Sequence, residues 1–244
     1  MHADYFPCQE RRRAVVVLPQ WNADAMGHVG LCRLLNRFGI CALRLTLPYH
    51  AWRMPAELRR ADYHVSANLG RTIHACRQAV IDTRACLDWL ESRGYRRLGL
   101  VGTSLGSAMG FIVAAHDSRV RAGAYNLFGG YFADVVWTGL PLRHVRQGLE
   151  GHVSLEELRE YWKPISPIVF VPRLRGRETS SLLVRARYDT TFLPEFALEF
   201  LAQCRAHQLR HRVVVLPCAH YTTGQFPFNW LAALPMCRFL AREL

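Results

Sequence analysis

The segment that most constrains the fold is LGLVGTSLGSAMG, residues 98–110. An apolar run enters a Gly-x-Ser-x-Gly pattern centred on Ser104, and small residues follow it directly. The apolar run predicts a buried strand, and the small residues predict a helix that packs closely on a sheet. A sharp turn between the two leaves little room for side chains, which explains the glycines at Gly102 and Gly106. The segment therefore predicts a serine held on a strained strand-to-helix turn.

Strand-like and helix-like segments alternate along the rest of the chain. Apolar residues recur every three or four positions in Leu31–Phe38 and in Arg71–Arg93, which predicts two helices. Six apolar or β-branched runs predict strands: Ala14–Leu18, Ile40–Leu47, Arg97–Val101, Val120–Leu127, Leu182–Ala186 and Val213–Leu216. Strands that alternate with helices of ten or more residues indicate right-handed crossovers. We therefore expect an α/β fold with a mostly parallel sheet flanked by helices.

Residues 130–176 break this alternation. Ser154 and Glu157 form a capping-box pattern that predicts the start of a short helix. We expect the stretch to be a small, mostly helical cap insertion over one end of the sheet. The length of 244 residues suits one domain, 1–244, that carries this cap at 130–176.

From Ala14 onward the sequence resembles the α/β-hydrolase superfamily, and the Ser104 turn carries the resemblance. The segment LPYHAWRMP is similar to a PYxxxRxP-type stretch in a branch related to dienelactone hydrolases and peptidase-like members. Dienelactone hydrolases use a cysteine nucleophile, so their reaction is not expected here. Members usually carry one or two antiparallel strands at the start, but only thirteen residues precede Ala14 and none of them predicts a strand. We expect either a minimal version of the fold or a chain that has lost its beginning and any signal peptide.

The resemblance implies a catalytic triad in the order serine, acid, histidine. Asp189 follows one predicted strand in RYDTT, and His220 follows the last one in PCAHY. His220 would take the proton of Ser104 and later protonate the leaving group, while Asp189 would fix the imidazole tautomer. An aspartate after a strand can instead cap a helix, and Asp134 is a possible substitute acid.

An oxyanion hole needs two backbone N–H donors. The resemblance assigns one to Leu105, after the nucleophile, and the other to the turn Pro19-Gln20-Trp21-Asn22, where many relatives carry His-Gly. Proline has no N–H, so the second donor is Trp21 or Gln20. Register favours Trp21, and its indole is expected to wall the acyl pocket.

These residues predict a carboxylesterase, a serine hydrolase that cleaves small to medium, fairly apolar esters through an acyl-enzyme. Aromatic residues are frequent near the predicted mouth: Trp21, Trp52, Phe128, Tyr131, Phe132, Trp137 and Phe226. Among them Tyr131, Trp137 and Phe226 are the pocket candidates. The long polar connection that contains His50, Trp52 and Arg53 is expected to be a solvated loop, and contact of these residues with the substrate is the alternative. A peptidase or amidase with the same triad is an alternative, and a non-catalytic binding protein on the same scaffold is another.

The charge balance is basic, with 31 Lys and Arg against 19 Asp and Glu and a net charge of +12. The single lysine is Lys163, and the arginines are scattered with no stripe that alternates with aromatic residues. We therefore expect no nucleic-acid partner. The expected partner is the small-molecule ester substrate that the triad predicts.

The eight cysteines never form Cys-x-x-Cys or a zinc-ligand spacing with histidine, so no metal and no cofactor are expected. Several lie at apolar positions, which favours reduced thiols and a cytoplasmic protein. No stretch approaches eighteen apolar residues, so no membrane span is expected. The sequence leaves the oligomeric state open.

Overall fold

The computed structural model describes residues 1–10 and 12–244. In these residues seven strands form one sheet in the order β1-β3-β2-β4-β5-β6-β7. Neighbouring strands are parallel except for the pair β1 and β3. The mostly parallel α/β sheet expected from the sequence is therefore confirmed. The strands are β1 His2–Phe6, β2 Arg13–Leu18, β3 Cys41–Thr46, β4 Arg97–Thr103, β5 Val120–Asn126, β6 Ser180–Ala186 and β7 His211–Leu216.

Eight α helices accompany the strands in the described part of the chain. None of them combines the length and the apolarity needed to cross a membrane. Short 3₁₀ turns occur in several of the connections. The helices are α1 Val29–Arg37, α2 Leu69–Ser92, α3 Leu105–His116, α4 Phe132–Thr138, α5 Arg143–Gln147, α6 Leu155–Tyr161, α7 Pro194–Ala206 and α8 Phe228–Glu243.

The sheet is covered on both faces, as the fully buried residues of β2 show. Val15 and Val17 pack into a core with α1 and α8. Val16 and Leu18, on the opposite face, pack into a second core with α2 and α3. Strands that are buried on both faces are apolar at almost every position, and this explains why the sequence of β2 is a continuous run of apolar residues.

The strand β1 corrects the expectation that no strand precedes Ala14. It pairs antiparallel with β3, from His2 opposite Thr46 to Phe6 opposite Ala42. Five residues of mixed polarity at a sheet edge give a weak sequence signal, because only one side of such a strand is paired. Its position depends on contacts with β3, which lies far along the chain.

Residues 130–176 contain α4, α5, α6 and three 3₁₀ turns at 140–142, 163–165 and 167–174. The capping box of α6 is present, with the N–H of Glu157 donating to Ser154 Oγ and the N–H of Ser154 donating to Glu157 Oε2. The single-domain organisation and the bounds of the cap stay predictions.

The parallel strands carry their following loops to the same edge of the sheet. The segments after β2, β4, β6 and β7 leave from the carboxyl ends of these strands. Side chains from four distant parts of the chain therefore meet at this edge, which is where open α/β sheets bind ligands.

Candidate active site

Ser104 occupies a strained turn between β4 and α3. Its φ and ψ are 54° and −115°, a region that non-glycine residues rarely adopt. Its N–H donates to the carbonyl oxygen of Asn126 at 2.8 Å, which helps to hold this conformation. A Cβ atom at Gly102 would overlap the backbone of Gly106, and one at Gly106 would overlap the carbonyl group of Leu18. The two glycines of the motif are therefore needed for close backbone approach.

Three side chains from separate loops form one hydrogen-bonded chain at this turn. Ser104 Oγ lies 3.2 Å from Nε2 of His220, and His220 Nδ1 lies 2.9 Å from Oδ2 of Asp189. All three residues are buried. An ionised carboxylate can only accept, so Nδ1 carries the hydrogen and Nε2 is free to accept the Ser104 hydroxyl proton.

The loop after β6 holds both the carboxylate and the imidazole in place. Asp189 Oδ1 accepts hydrogen bonds from the N–H groups of Thr191 and Phe192, each at 2.8 Å. The Phe192 ring stacks on the His220 ring, with centroids 5.4 Å apart and planes 1° apart. One short turn thus orients the acid and covers one face of the histidine.

Asp134, the substitute acid considered from the sequence, has a different partner. It lies buried in α4, where its Oδ1 accepts from Arg159 Nε at 2.6 Å. The carboxylate that the structure brings to His220 is Asp189.

A cavity of about 670 Å³ opens at Ser104. Among the described residues that line it there is no Asp, Glu, Lys or Arg. No cluster of three His, Cys, Asp or Glu side chains in the described residues could hold a metal ion. A neutral, largely apolar ligand suits such a lining. Its apolar walls include Leu31, Leu34, Phe132, Val135, Val136, Leu142, Ala232 and Met236.

The sequence matches no protein-family model and no curated protein. Solved structures do resemble it. A cold-adapted esterase from an Arctic intertidal metagenomic library is 19% identical with a TM-score of 0.65, over 99% of this chain and 88% of that one. A Paleococcus ferrophilus monoacylglycerol lipase is 13% identical with a TM-score of 0.65, over 100% and 99%. The acylaminoacyl peptidase of Pyrococcus horikoshii is 14% identical with a TM-score of 0.75, but this chain spans 39% of its length. The chain has the α/β-hydrolase fold.

In this α/β-hydrolase fold, residues 20–23 form a tight turn that lies at the same cavity as Ser104. We call it the oxyanion turn, after the role that the sequence predicts for it. The N–H of Ala23 donates to the carbonyl oxygen of Gln20 at 3.2 Å, and Asn22 adopts a φ of 61°. The N–H groups of Gln20, Trp21 and Leu105 have no hydrogen-bond partner among the described residues. All three residues line the cavity.

Trp21 is one of the residues that line the cavity. Its indole Nε1–H donates to the carbonyl oxygen of Ala61 at 3.0 Å, and its ring stacks on His144 at 8° between planes. These contacts fix the indole as a rigid wall.

The three aromatic residues expected in the pocket lie elsewhere. Tyr131, Trp137 and Phe226 are absent from the cavity lining in the part of the chain that the structure describes. The Tyr131 ring packs beneath Arg159, the Trp137 ring packs beneath Arg146, and Phe226 is 82% exposed on the loop before α8. The expectation is corrected because side-chain direction, and not proximity along the chain, decides which residues reach a cavity.

The residues of α4 that do reach the cavity are Phe132, Val135 and Val136. They follow the i, i+3, i+4 spacing of one helix face. That periodicity was the sequence signal for these pocket residues, and Tyr131 and Trp137 fall outside the stripe.

His50, expected in a solvated loop, is 2% exposed, and this corrects the expectation. Its Nδ1 lies 2.8 Å from the carbonyl oxygen of Pro48, so this nitrogen donates and Nε2 accepts. The donor to Nε2 is the N–H of Asn22 in the oxyanion turn, at 3.0 Å. Burial, together with the charge of Arg53, lowers the pKa of His50 to about 4, so the ring is neutral near pH 7.

A second histidine near the nucleophile was also missed. His28 lines the cavity, and its Nε2 lies 2.9 Å from Oγ1 of Thr103, the residue before Ser104. Burial, together with the charge of Arg44, lowers its pKa to about 4. No sequence pattern marks this contact, because the two residues are 75 positions apart.

Proposed function

We propose that this chain is a serine hydrolase that cleaves carboxylic esters through an acyl-enzyme. The observation that carries the proposal is the hydrogen-bonded chain Ser104–His220–Asp189 at the end of an uncharged cavity. A buried histidine that accepts from a serine and donates to a carboxylate activates that serine as a nucleophile.

The reaction would proceed in two halves. As Ser104 Oγ attacks the ester carbonyl carbon, His220 Nε2 takes the hydroxyl proton and Asp189 stabilises the imidazolium. The tetrahedral oxyanion would accept hydrogen bonds from the N–H of Leu105 and from Trp21 or Gln20. His220 then protonates the leaving alcohol, and a water molecule activated by the same histidine hydrolyses the acyl-enzyme.

The cavity supports a neutral, mostly apolar ester of small to medium size. Its volume of about 670 Å³ lies within the range of small-molecule sites. Charged side chains are absent from the described lining although the whole chain carries a net charge of +12. Burial of a substrate charge without a partner would be costly, so charged substrates are disfavoured.

A peptidase or amidase is the alternative that the same triad allows, and a fold similar to an acylaminoacyl peptidase is compatible with it. A recognition site for a charged peptide end would require an opposite charge in the cavity. The uncharged lining favours the ester hydrolase. A non-catalytic binding protein is less favoured, since Ser104, His220 and Asp189 are already aligned for proton transfer.

Labelling with a fluorophosphonate probe tests the proposal directly. The intact chain should be labelled at Ser104, and Ser104→Ala should lose both labelling and turnover of p-nitrophenyl butyrate. Ser107→Ala is the matched control, because Ser107 is also buried in the α3 region but donates to the carbonyl oxygen of Asn126. Comparison of p-nitrophenyl butyrate with butyryl-p-nitroanilide separates an esterase from an amidase. Undiminished ester turnover by Ser104→Ala would refute the proposal.

We also propose a cytoplasmic location, on the basis of the cysteines. All eight are free thiols in the structure, and seven of them are buried. Free thiols are typical of a reducing compartment. Cell fractionation with antibody detection would test this, and recovery of the protein only from an exported fraction would contradict it.

A further inference from the structure

The oxyanion turn receives most of its support from one distant segment. This segment, residues 48–64, is the long connection after β3, and we call it the clamp. The N–H of Ala61 donates to Asn22 Oδ1 at 2.8 Å, and the carbonyl oxygen of Ala61 accepts from the Trp21 indole. The third bond is the one from the N–H of Asn22 to His50 Nε2. The clamp therefore binds the turn through the backbone of Ala61 and the side chain of His50.

The turn requires external support because of its conformation. Asn22 has a φ of 61°, and although asparagine tolerates this region better than most residues, it still costs free energy. A single internal hydrogen bond, Ala23 to Gln20, closes the turn. The bonds to His50 and Ala61 thus select this conformation, and with it the position of the Trp21 and Gln20 N–H groups.

His50 can make its bond only as a neutral ring with one defined tautomer. Pro48 accepts from Nδ1, and this leaves the lone pair of Nε2 for Asn22. The groups that face the ring are His64, whose ring meets it edge-on at 5.3 Å, and the guanidinium of Arg53. Arg53 is held by Asp82 at 2.6 Å. These neighbours keep the His50 imidazole uncharged, so its Nε2 can accept the hydrogen bond from the Asn22 N–H.

We propose that His50 is a positioning residue that holds the oxyanion turn in its catalytic geometry. This inference rests on the proposed esterase function. His50 does not touch the substrate, since it lies outside the described cavity lining. It acts through the Asn22 N–H, which fixes the neighbouring Trp21 and Gln20 N–H groups against Ser104. Loss of the bond would weaken transition-state stabilisation and leave ground-state binding largely intact.

Two substitutions at His50 separate the bond to Asn22 from simple filling of space. In His50→Asn the amide lies where Nδ1 was and can donate to Pro48, but it does not reach Asn22. In His50→Gln the amide extends to the position of Nε2, where its oxygen can accept from the Asn22 N–H. We expect kcat to fall about 10- to 100-fold in His50→Asn with KM within about threefold, and His50→Gln to recover most of the loss.

Thr83 provides the control. It lies in α2, outside the clamp, it is fully buried, and its Oγ1 donates to the carbonyl oxygen of Ala79 at 2.7 Å. It makes no hydrogen bond to the oxyanion turn among the described residues. Thr83→Ala should lower the urea midpoint of unfolding, while kcat stays within about threefold of the unsubstituted enzyme.

Fluorophosphonate titration counts the active sites in each preparation, so kcat per site is independent of any unfolded fraction. A second variant, Asn22→Gly, keeps the backbone N–H that donates to His50 Nε2. It removes the Oδ1 atom that accepts from the N–H of Ala61. It should lose less activity than His50→Asn. The inference is overturned if His50→Asn keeps kcat, if His50→Gln fails to recover it, or if Thr83→Ala loses as much. In contrast, turnover that survives Ser104→Ala refutes the proposed function itself, so the two failures are distinguishable.

Discussion

The ring of Phe192 lies parallel to the imidazole of His220, with 5.4 Å between the centroids. The backbone N–H of Phe192 donates a hydrogen bond to Asp189. A single residue thus contacts two of the three groups proposed to act in catalysis. The stacked ring restricts rotation of the imidazole, and the N–H restricts the carboxylate. This relationship gives Phe192 a measurable role in the alignment of His220.

Substitution of Phe192 by leucine should reduce kcat, because it removes the ring that stacks on His220. An aromatic pair contributes about 0.5–1.5 kcal/mol, so we expect about a two- to tenfold loss of kcat for p-nitrophenyl butyrate. Phe111→Leu is the matched control, because Phe111 is buried against Phe200 and lies outside the described cavity lining. Equal losses of kcat in the two variants would show that the stacking has no catalytic role.

Replacement of Asp189 by asparagine should lower kcat about 10⁴-fold, because an amide can donate to Nδ1 and stabilise the wrong tautomer of His220. Asp134→Asn is the matched control, since it removes an equally buried carboxylate that pairs with Arg159. We expect Asp134→Asn to reduce stability and keep kcat within a few-fold. A larger loss of kcat from Asp134→Asn than from Asp189→Asn would reassign the acid. Steady-state kinetics at pH 8 provides the measurement.

The sequence predicted the parallel strands, the main helices and the Ser104 turn, because these depend on local periodicity and on glycines within a few residues. It also named Ser104, Asp189 and His220, whose side chains meet in one hydrogen-bonded chain, since the order of strands places their loops at one edge of the sheet. It missed the contact of His50 with Asn22. That contact depends on how two loops fold against each other, and no local pattern encodes it.

The edge strand β1 and the pocket residues were missed for different reasons. The segment HADYF has too few apolar residues to be recognised without its partner β3. Aromatic character suggested Tyr131, Phe132 and Trp137 near the mouth, but the register of α4 places only Phe132 of these three in the cavity lining, together with Val135. The position of a residue on the helix face therefore predicts contact with the cavity better than its aromatic character does.

An alanine at Gly106 should prevent the close approach of α3 to the strand β2. Its Cβ would overlap the backbone at Leu18, and backbone atoms cannot move aside cheaply. We expect a loss of at least about 3 kcal/mol in the free energy of unfolding, or failure to fold. Gly70→Ala in the first turn of α2 is the control. Its Cβ makes only an ordinary contact, and we expect stabilisation by about 0.4–1 kcal/mol. Urea unfolding of both variants measures the difference, and equal stabilities would disprove the steric argument.

Acid should destabilise the fold through His64. Burial, followed by the charges of His50 and Arg53, lowers its pKa to about 3. Between pH 6.5 and about pH 4 the unfolded chain binds a proton at this residue and the folded chain does not, so stability falls as the pH falls. His64→Gln removes this proton. The stability gap between His64→Gln and the unsubstituted protein should therefore shrink by about 2 kcal/mol between pH 7 and pH 4.5. A gap that does not change with pH in urea titrations would contradict the shift.

A bulky side chain on α4 should restrict the cavity and shorten the acyl chain that the enzyme accepts. Val135 lines the cavity, and Val135→Trp would fill part of its volume of about 670 Å³. Each methylene buried contributes about 0.8 kcal/mol, so displacement of two methylenes raises KM about tenfold. We expect kcat/KM to fall for p-nitrophenyl octanoate and to change little for p-nitrophenyl acetate. Val169→Trp is the control, because Val169 is 40% exposed and lies outside the described lining. The same loss of kcat/KM for the acetate and octanoate esters would contradict the prediction, because it would mean that α4 does not border the acyl site.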